Sequence, residues 1–153
     1  MGAAYRMSAF GEIVSGLLGR RPAYLQVGAL CLRKRDGAVQ VLLISSRGTG
    51  RWIIPKGWPM RGRSLAGAAR QEAWEEAGIK GKVAPDPCGS YHYDKGLDQG
   101  GAIRVEVLVY RLKTESLAEA YPEAGQRRRK WFSPAEAAER VDEPGLKAIL
   151  LGL

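Results

Sequence analysis

From Tyr24 to Arg33 and again from Val39 to Ser46, valine, leucine and isoleucine recur with few polar breaks, and an Arg-Asp-Gly stretch, Arg35 to Gly37, stands between the two runs. Two such runs around an Asp-Gly pair predict antiparallel strands joined by a short turn. Trp52 to Ile54 predicts a brief strand that Pro55 ends, because proline has no amide hydrogen to give to a ladder. Ser64 is placed to cap a helix running to Ala77, and Gly78 stands where a left-handed residue closes a helix. Further strands are expected near Lys82 to Ala84, Gly89 to Tyr93 and, with a long valine-rich alternation, Ala102 to Lys113. The stretch DKGLDQGG reads as a flexible turn or loop. A short strand at Lys130 to Phe132 precedes two helices, one opened by Ser133-Pro134 toward Val141 and one opened by Pro144 toward Leu151. Residues 1 to about 22 read as an N-terminal arm with room for one short helix, and residues 23–153 as one domain. Strands, a central helix, more strands and terminal helices predict an α/β fold with a mixed sheet between helices on both faces.

Composition narrows the partners more than the fold. The chain has 153 residues, 45% hydrophobic and 26% charged, which is ordinary for a single globular domain. Lysine and arginine total 24 against 16 acids, a net charge of +8, so the surface attracts polyanions such as nucleic acid, nucleotides, inositol phosphates or an anionic membrane surface. Cys31 and Cys88 fit no metal spacing, and Cys31 lies in an apolar run, which points to a reducing compartment. The N-terminal MSAFGEIVSGLLG is too short to span a bilayer and contains a glutamate, so neither a membrane nor a targeting signal is expected and the cytoplasm is the default.

Against that basic background, the stretch from Gly57 to Ile79 gathers three acids. At about 100° per residue, Glu75 and Glu76 fall roughly 60° and 40° to either side of Glu72, so all three share one helix face. Ala66, Ala69, Ala73 and Ala77 form the adjoining arc and let the helix pack closely on a sheet. A solvated acidic stripe is the ordinary reading of such a face. Like charges four apart cost about 0.2–0.5 kcal/mol, however, and a hard divalent cation turns that repulsion into coordination. Just before the helix, Pro55-Lys56-Gly57 with Arg47, Arg51, Arg61 and Arg63 nearby supplies flexible backbone and cations suited to phosphate.

Gly57, Arg63 and the run Gln71-Glu72-Ala73-Trp74-Glu75-Glu76-Ala77-Gly78-Ile79 together resemble the Nudix box. The likeness extends more weakly from about Tyr24 to Phe132. It implies a Nudix-type α/β/α sandwich and Mg²⁺- or Mn²⁺-dependent hydrolysis of a pyrophosphate bond. By resemblance, Glu72, Glu75 and Glu76 are the catalytic residues, and with Gly57 they hold the metal. Arg63 stands where the family usually has glutamate and Gln71 where it usually has arginine, so the pair that commonly steadies the loop against the helix is replaced. Glu106 is a candidate base outside the box, and the lone His92 shows no orienting partner in the sequence.

Ser45-Ser46-Arg47, then Arg51 to Pro55, and later Gly125 to Phe132, are similar to the diphosphoinositol polyphosphate and diadenosine polyphosphate hydrolase branch. That resemblance implies a polyphosphorylated small-molecule substrate touched by Ser45, Ser46, Arg47, Lys56 and Arg128. Leu25-Gln26-Val27 is uncharged where eukaryotic members of the branch carry bases, and Pro-Lys-Gly replaces a glycine run, which turns the expectation toward a dinucleoside polyphosphate. The run Arg127 to Lys130 also reads as an ordinary solvated face. Trp58, Tyr91 and Tyr93 are candidates either for stacking on a base or for plain packing. Removal of pyrophosphate from RNA 5′ ends, and a noncatalytic nucleotide or RNA sensor, are the other readings.

Overall fold

The computed structural model describes residues 23–153 and the backbone of a two-residue strand, Tyr5–Arg6 (β1). The helix expected in the N-terminal arm lies outside the described residues. β2 (Tyr24–Arg35) and β3 (Ala38–Ser45) form the expected hairpin. Its turn places both Asp36 and Gly37 at positive φ (51° and 79°), the twist that a two-residue connection requires.

Next come β4 (Trp52–Ile53) and β5 (Lys56–Gly57), which departs from the sequence expectation. Pro55 interrupts the extended run without ending it. Its carbonyl accepts a 2.9 Å hydrogen bond from the Ala29 amide, and Lys56 and Gly57 then pair antiparallel with Gly28 and Val27. The backbone at Lys56-Gly57 is therefore held in the sheet and is not a flexible loop.

Helix α1 (Leu65–Ala77) begins at Ser64, whose hydroxyl accepts from the Gly67 amide at 2.9 Å, and ends at Gly78, φ 66°. β6 (Ile79–Val83) follows at once, so that strand starts three residues earlier than its polar sequence suggested. β7 (Gly89–Gly96) runs through Asp94-Lys95-Gly96, leaving only the five residues 97–101 for the turn into β8 (Ala102–Leu117). β9 (Arg129–Phe132), α2 (Pro134–Arg140) and α3 (Pro144–Leu151) complete the chain, with Ser133 and Glu136 forming a reciprocal cap on α2.

β2 and β8 are parallel neighbours from Tyr24 and Val105 to Leu32 and Lys113, and every other pairing in the sheet is antiparallel. The sheet is mixed, as expected. On one face α1 packs its alanines over Val27, Ala29, Cys31, Leu42, Ile44, Tyr110 and Leu112. On the other, α2 and α3 cover Leu30, Val41, Leu43 and the β8 valines. Central β2 is buried from Gln26 to Cys31 because both its faces are covered. The result is the α/β/α sandwich that the order of elements predicted. Among the described residues no helix is long and apolar enough to cross a membrane.

Candidate active site

The site forms where β2 leaves β3 and β5 takes its place. β3 pairs with β2 only at Leu32 to Arg35, and the edge that remains at Val27 and Gly28 is filled by Lys56 and Gly57. Over this junction α1 presents Glu72 and Glu76. The absence of a side chain at Gly57 is required, because a Cβ there would collide with the Glu72 carboxylate.

Glu72 and Glu76 lie one helical turn apart, close enough to influence each other's ionisation. Burial, then the charge of Glu76, pushes the Glu72 carboxyl up to about 8. Burial also raises Glu76, against the opposing pull of Arg127 and Lys56. Glu75 is turned aside and accepts a 3.1 Å bond from the Gln71 amide. Among the described residues no three acidic, histidine or cysteine side chains converge closely enough to surround an ion.

Two cations flank the pair. The Lys56 ammonium lies 4.9 Å from the centre of the Tyr93 ring and forms no ion pair among the described residues. Burial lowers it to about 8, with Glu76 partly offsetting the shift. Arg127, 9% exposed, reaches Glu76 at 3.3 Å and Glu123 at 3.3 Å, and donates to the Ser45 carbonyl at 3.2 Å.

The basic run from Arg127 to Lys130 is thus no uniform solvated face. Arg128, which the sequence reading singled out, lies 4.8 Å over the Trp52 ring and donates to the Gly50 carbonyl, while the guanidinium at Glu76 belongs to Arg127. Arg129 donates to the Ala77 and Ala118 carbonyls at 2.8 and 2.7 Å, capping the C-terminal end of α1.

The Ser-Ser-Arg stretch divides. Ser45 is buried, and its hydroxyl accepts from the Arg128 amide at 2.8 Å. Ser46 shares a 2.8 Å bond with Thr49 in the following turn. Arg47 is 62% exposed and bonds Gln126 at 3.2 Å. Of the five substrate candidates, Lys56 stands beside the glutamates, and Ser46 and Arg47 stand on the exposed rim.

Sequence reasoning missed four features. The Arg127 contact depends on which of three consecutive arginines turns inward. Glu143, 6% exposed at the start of α3, receives the Arg51 guanidinium at 2.5 Å and keeps its second oxygen unpartnered. Tyr93 donates to Gln26 at 2.6 Å, which accounts for an uncharged residue on that strand. His92 does have an orienting partner: Glu106, its cross-strand neighbour, at 3.2 Å.

The donors gathered at Gly57 are all oxygens, and half-buried Glu72 beside buried Glu76 brings together two carboxylates that a divalent cation would neutralise. That donor chemistry fits Mg²⁺ or Mn²⁺.

The NUDIX domain model matches residues 24–151, and the chain belongs to the Nudix family. Nudix hydrolase 16, mitochondrial, of Arabidopsis thaliana is 32% identical over 119 residues, 74% of this chain and 64% of that protein. Diphosphoinositol polyphosphate phosphohydrolase 3-alpha of Homo sapiens is 31% identical over 114 residues, 73% of this chain and 65% of that protein. The chain therefore spans slightly under two thirds of the length of these relatives. Among solved structures, the C. elegans Ap4A hydrolase superposes with a TM-score of 0.60 at 20% identity, over 84% of this chain and 94% of that one, a likeness of fold.

Proposed function

We propose that the protein hydrolyses a pyrophosphate bond in a polyphosphorylated small molecule, with Mg²⁺ or Mn²⁺ as cofactor, and that its substrate is a diadenosine polyphosphate or a diphosphoinositol polyphosphate. The observation that carries this reading is the pair formed by half-buried Glu72 and buried Glu76, lying against Gly57 between Lys56 and Arg127. Glu72, Glu76 and the Gly57 backbone would hold the cation, with Glu75 joining on release from Gln71. Bound there, a divalent cation polarises phosphoryl oxygens and lowers the pKa of an attacking water.

The remaining work falls to the chain's own groups. Lys56, desolvated and without a carboxylate partner, is free to hold a substrate phosphate by a charge-assisted bond. Arg127 balances the charge of Glu76 from behind. Ser46, Arg47 and Arg128 would hold further phosphates along the rim, and buried Ser45 would serve by fixing the Arg128 backbone. Gln26, an amide bonded to Tyr93 where a phosphate-rich ring would call for a cation, supports the dinucleoside polyphosphate over the inositol compound. Cys88 is unpaired, and burial pushes the Cys31 thiol up to about 12; both fit the reducing cytoplasm as the place of action.

The test is incubation with Mg²⁺ and a panel of dinucleoside polyphosphates, diphosphoinositol phosphates and 5′-triphosphorylated RNA, followed by product analysis. Cleavage of a dinucleoside polyphosphate, lost in Glu76→Gln, is the expected result. Preference for RNA would move the assignment to 5′-end processing, and tight metal-independent binding without turnover would replace it with a sensor.

A further inference from the structure

At the end of the sheet remote from the glutamates, strand register assembles a second, predominantly cationic surface. Leu32 pairs with Lys113, Lys34 with Val39, and Lys113 in turn with Lys82. Because alternate residues of a strand share a face, Lys34, Arg111, Lys113 and Lys82 project on the side of Leu30 and Leu32. All four are exposed. Among the described residues none has an ion pair or side-chain hydrogen bond, although Asp36, Asp86 and Glu115 lie nearby in sequence. Three of them, with Leu32 and Val39, line a groove of about 640 Å³.

A cluster of like charges left without counter-ions costs self-repulsion, which a polyanion relieves. The surface is too far from the candidate active site to serve the same small molecule. Lys34 is six residues along β2 from Gly28, the partner of Lys56, which at about 3.3 Å per residue is roughly 20 Å. The groove's shape narrows the choice of polyanion. A flexible single strand can lay successive phosphates along cationic side chains spaced over neighbouring strands, whereas the roughly 12 Å major groove of a duplex calls for a projecting element.

We propose that this groove binds the phosphodiester backbone of single-stranded nucleic acid, independently of sequence and separately from the active site. With four cations engaged, the slope of log K against log salt is about −0.7 per phosphate contact, near −3 in all.

Fluorescence anisotropy of the full chain with a labelled twelve-nucleotide oligouridylate, between 50 and 300 mM salt, tests it. The double variant Lys34→Glu/Lys113→Glu should weaken binding at least tenfold at the lowest salt and flatten the slope by about 1.4, two contacts' worth. Its circular dichroism should be unchanged, since both side chains are exposed. Lys56→Met and Glu76→Gln should bind the oligonucleotide as the unaltered protein does. The proposal is overturned if the unaltered protein does not bind, if the double variant keeps the same affinity and slope, or if Lys56→Met abolishes binding, which would put the RNA in the catalytic cleft. Retention on phosphatidylserine vesicles without oligonucleotide binding would also overturn it, in favour of a membrane surface. Because the readout is binding, failure here leaves the hydrolase reading standing, and failure to hydrolyse leaves this one standing.

Discussion

Glu76 and Arg127 show how much of the chemistry turns on single side chains. Glu76→Gln keeps the volume and removes the charge, so turnover should fall roughly 10²-fold or more, as when a preorganised electrostatic group is lost; steady-state kinetics on the cleaved substrate read it directly. Arg127→Ala leaves Glu76 buried without its nearest cation. A supporting group of this kind is worth about 10–100-fold in metal affinity, and titration calorimetry with Mn²⁺ should show a loss of that order. Arg127→Lys should recover only part of it, because one ammonium cannot span Glu76, Glu123 and the Ser45 carbonyl as the guanidinium does. Lys56→Met should raise KM about tenfold or more with a smaller effect on kcat, the signature of a lost phosphate contact. At this scale the sequence was informative about composition and poor about direction. The glutamates were legible because they sit on a helix of known period, whereas Arg127 follows an irregular segment in which no periodicity says which arginine turns inward.

Among the elements, the helices were the most legible, and α1 carries a marker at each end. Ser64 and Gly78 are local signals that act through neighbouring backbone amides and carbonyls. Gly78 carries a further constraint, since a side chain there would meet the Tyr121 ring and the Arg129 guanidinium as well as a positive φ. Gly78→Ala should therefore cost about 1–2 kcal/mol for the left-handed backbone alone, and more with the clash, measurable by urea denaturation. β5 was not legible. A two-residue strand carries no pattern of its own and exists because β2 has an open edge at Val27 and Gly28. Glu143 arrives from α3 and His92 meets Glu106 through the β7–β8 register, and both placements depend on long-range pairing that no local run of residues encodes.

For the molecule as a whole, the buried carboxyls tie stability to pH. Glu72 titrates near 8 in the fold and at an ordinary 4.5 when unfolded, so between those values the folded state holds a proton that the unfolded state has released. The unfolded state binds fewer protons, and stability falls as pH rises through that window. Lys56 works in the opposite sense above it: lowered from 10.5 to about 8, it lets the unfolded state bind the extra proton, so stability recovers as pH rises from 8 toward 10.5. Thermal melts without metal should therefore show Tm declining by several degrees from pH 5 to 8. Addition of Mg²⁺ at pH 8 should restore it, because the cation neutralises the paired carboxylates and binds only the folded state. A flat Tm profile would count against the buried pair as described.

The fastening of α1 also has a consequence in time. The Glu75 carbonyl accepts from the Glu123 amide, the Gly78 carbonyl from the Ala118 amide, and Arg127 and Arg129 close the same end of the helix. Every one of these bonds comes from chain made after the helix itself. During synthesis the acidic motif leaves the ribosome complete yet electrostatically unfinished, and it waits for the segment through Arg129 before its charges are balanced. A nascent chain halted before that segment would carry the whole signature by which the family is recognised and still lack the arrangement that makes the signature work.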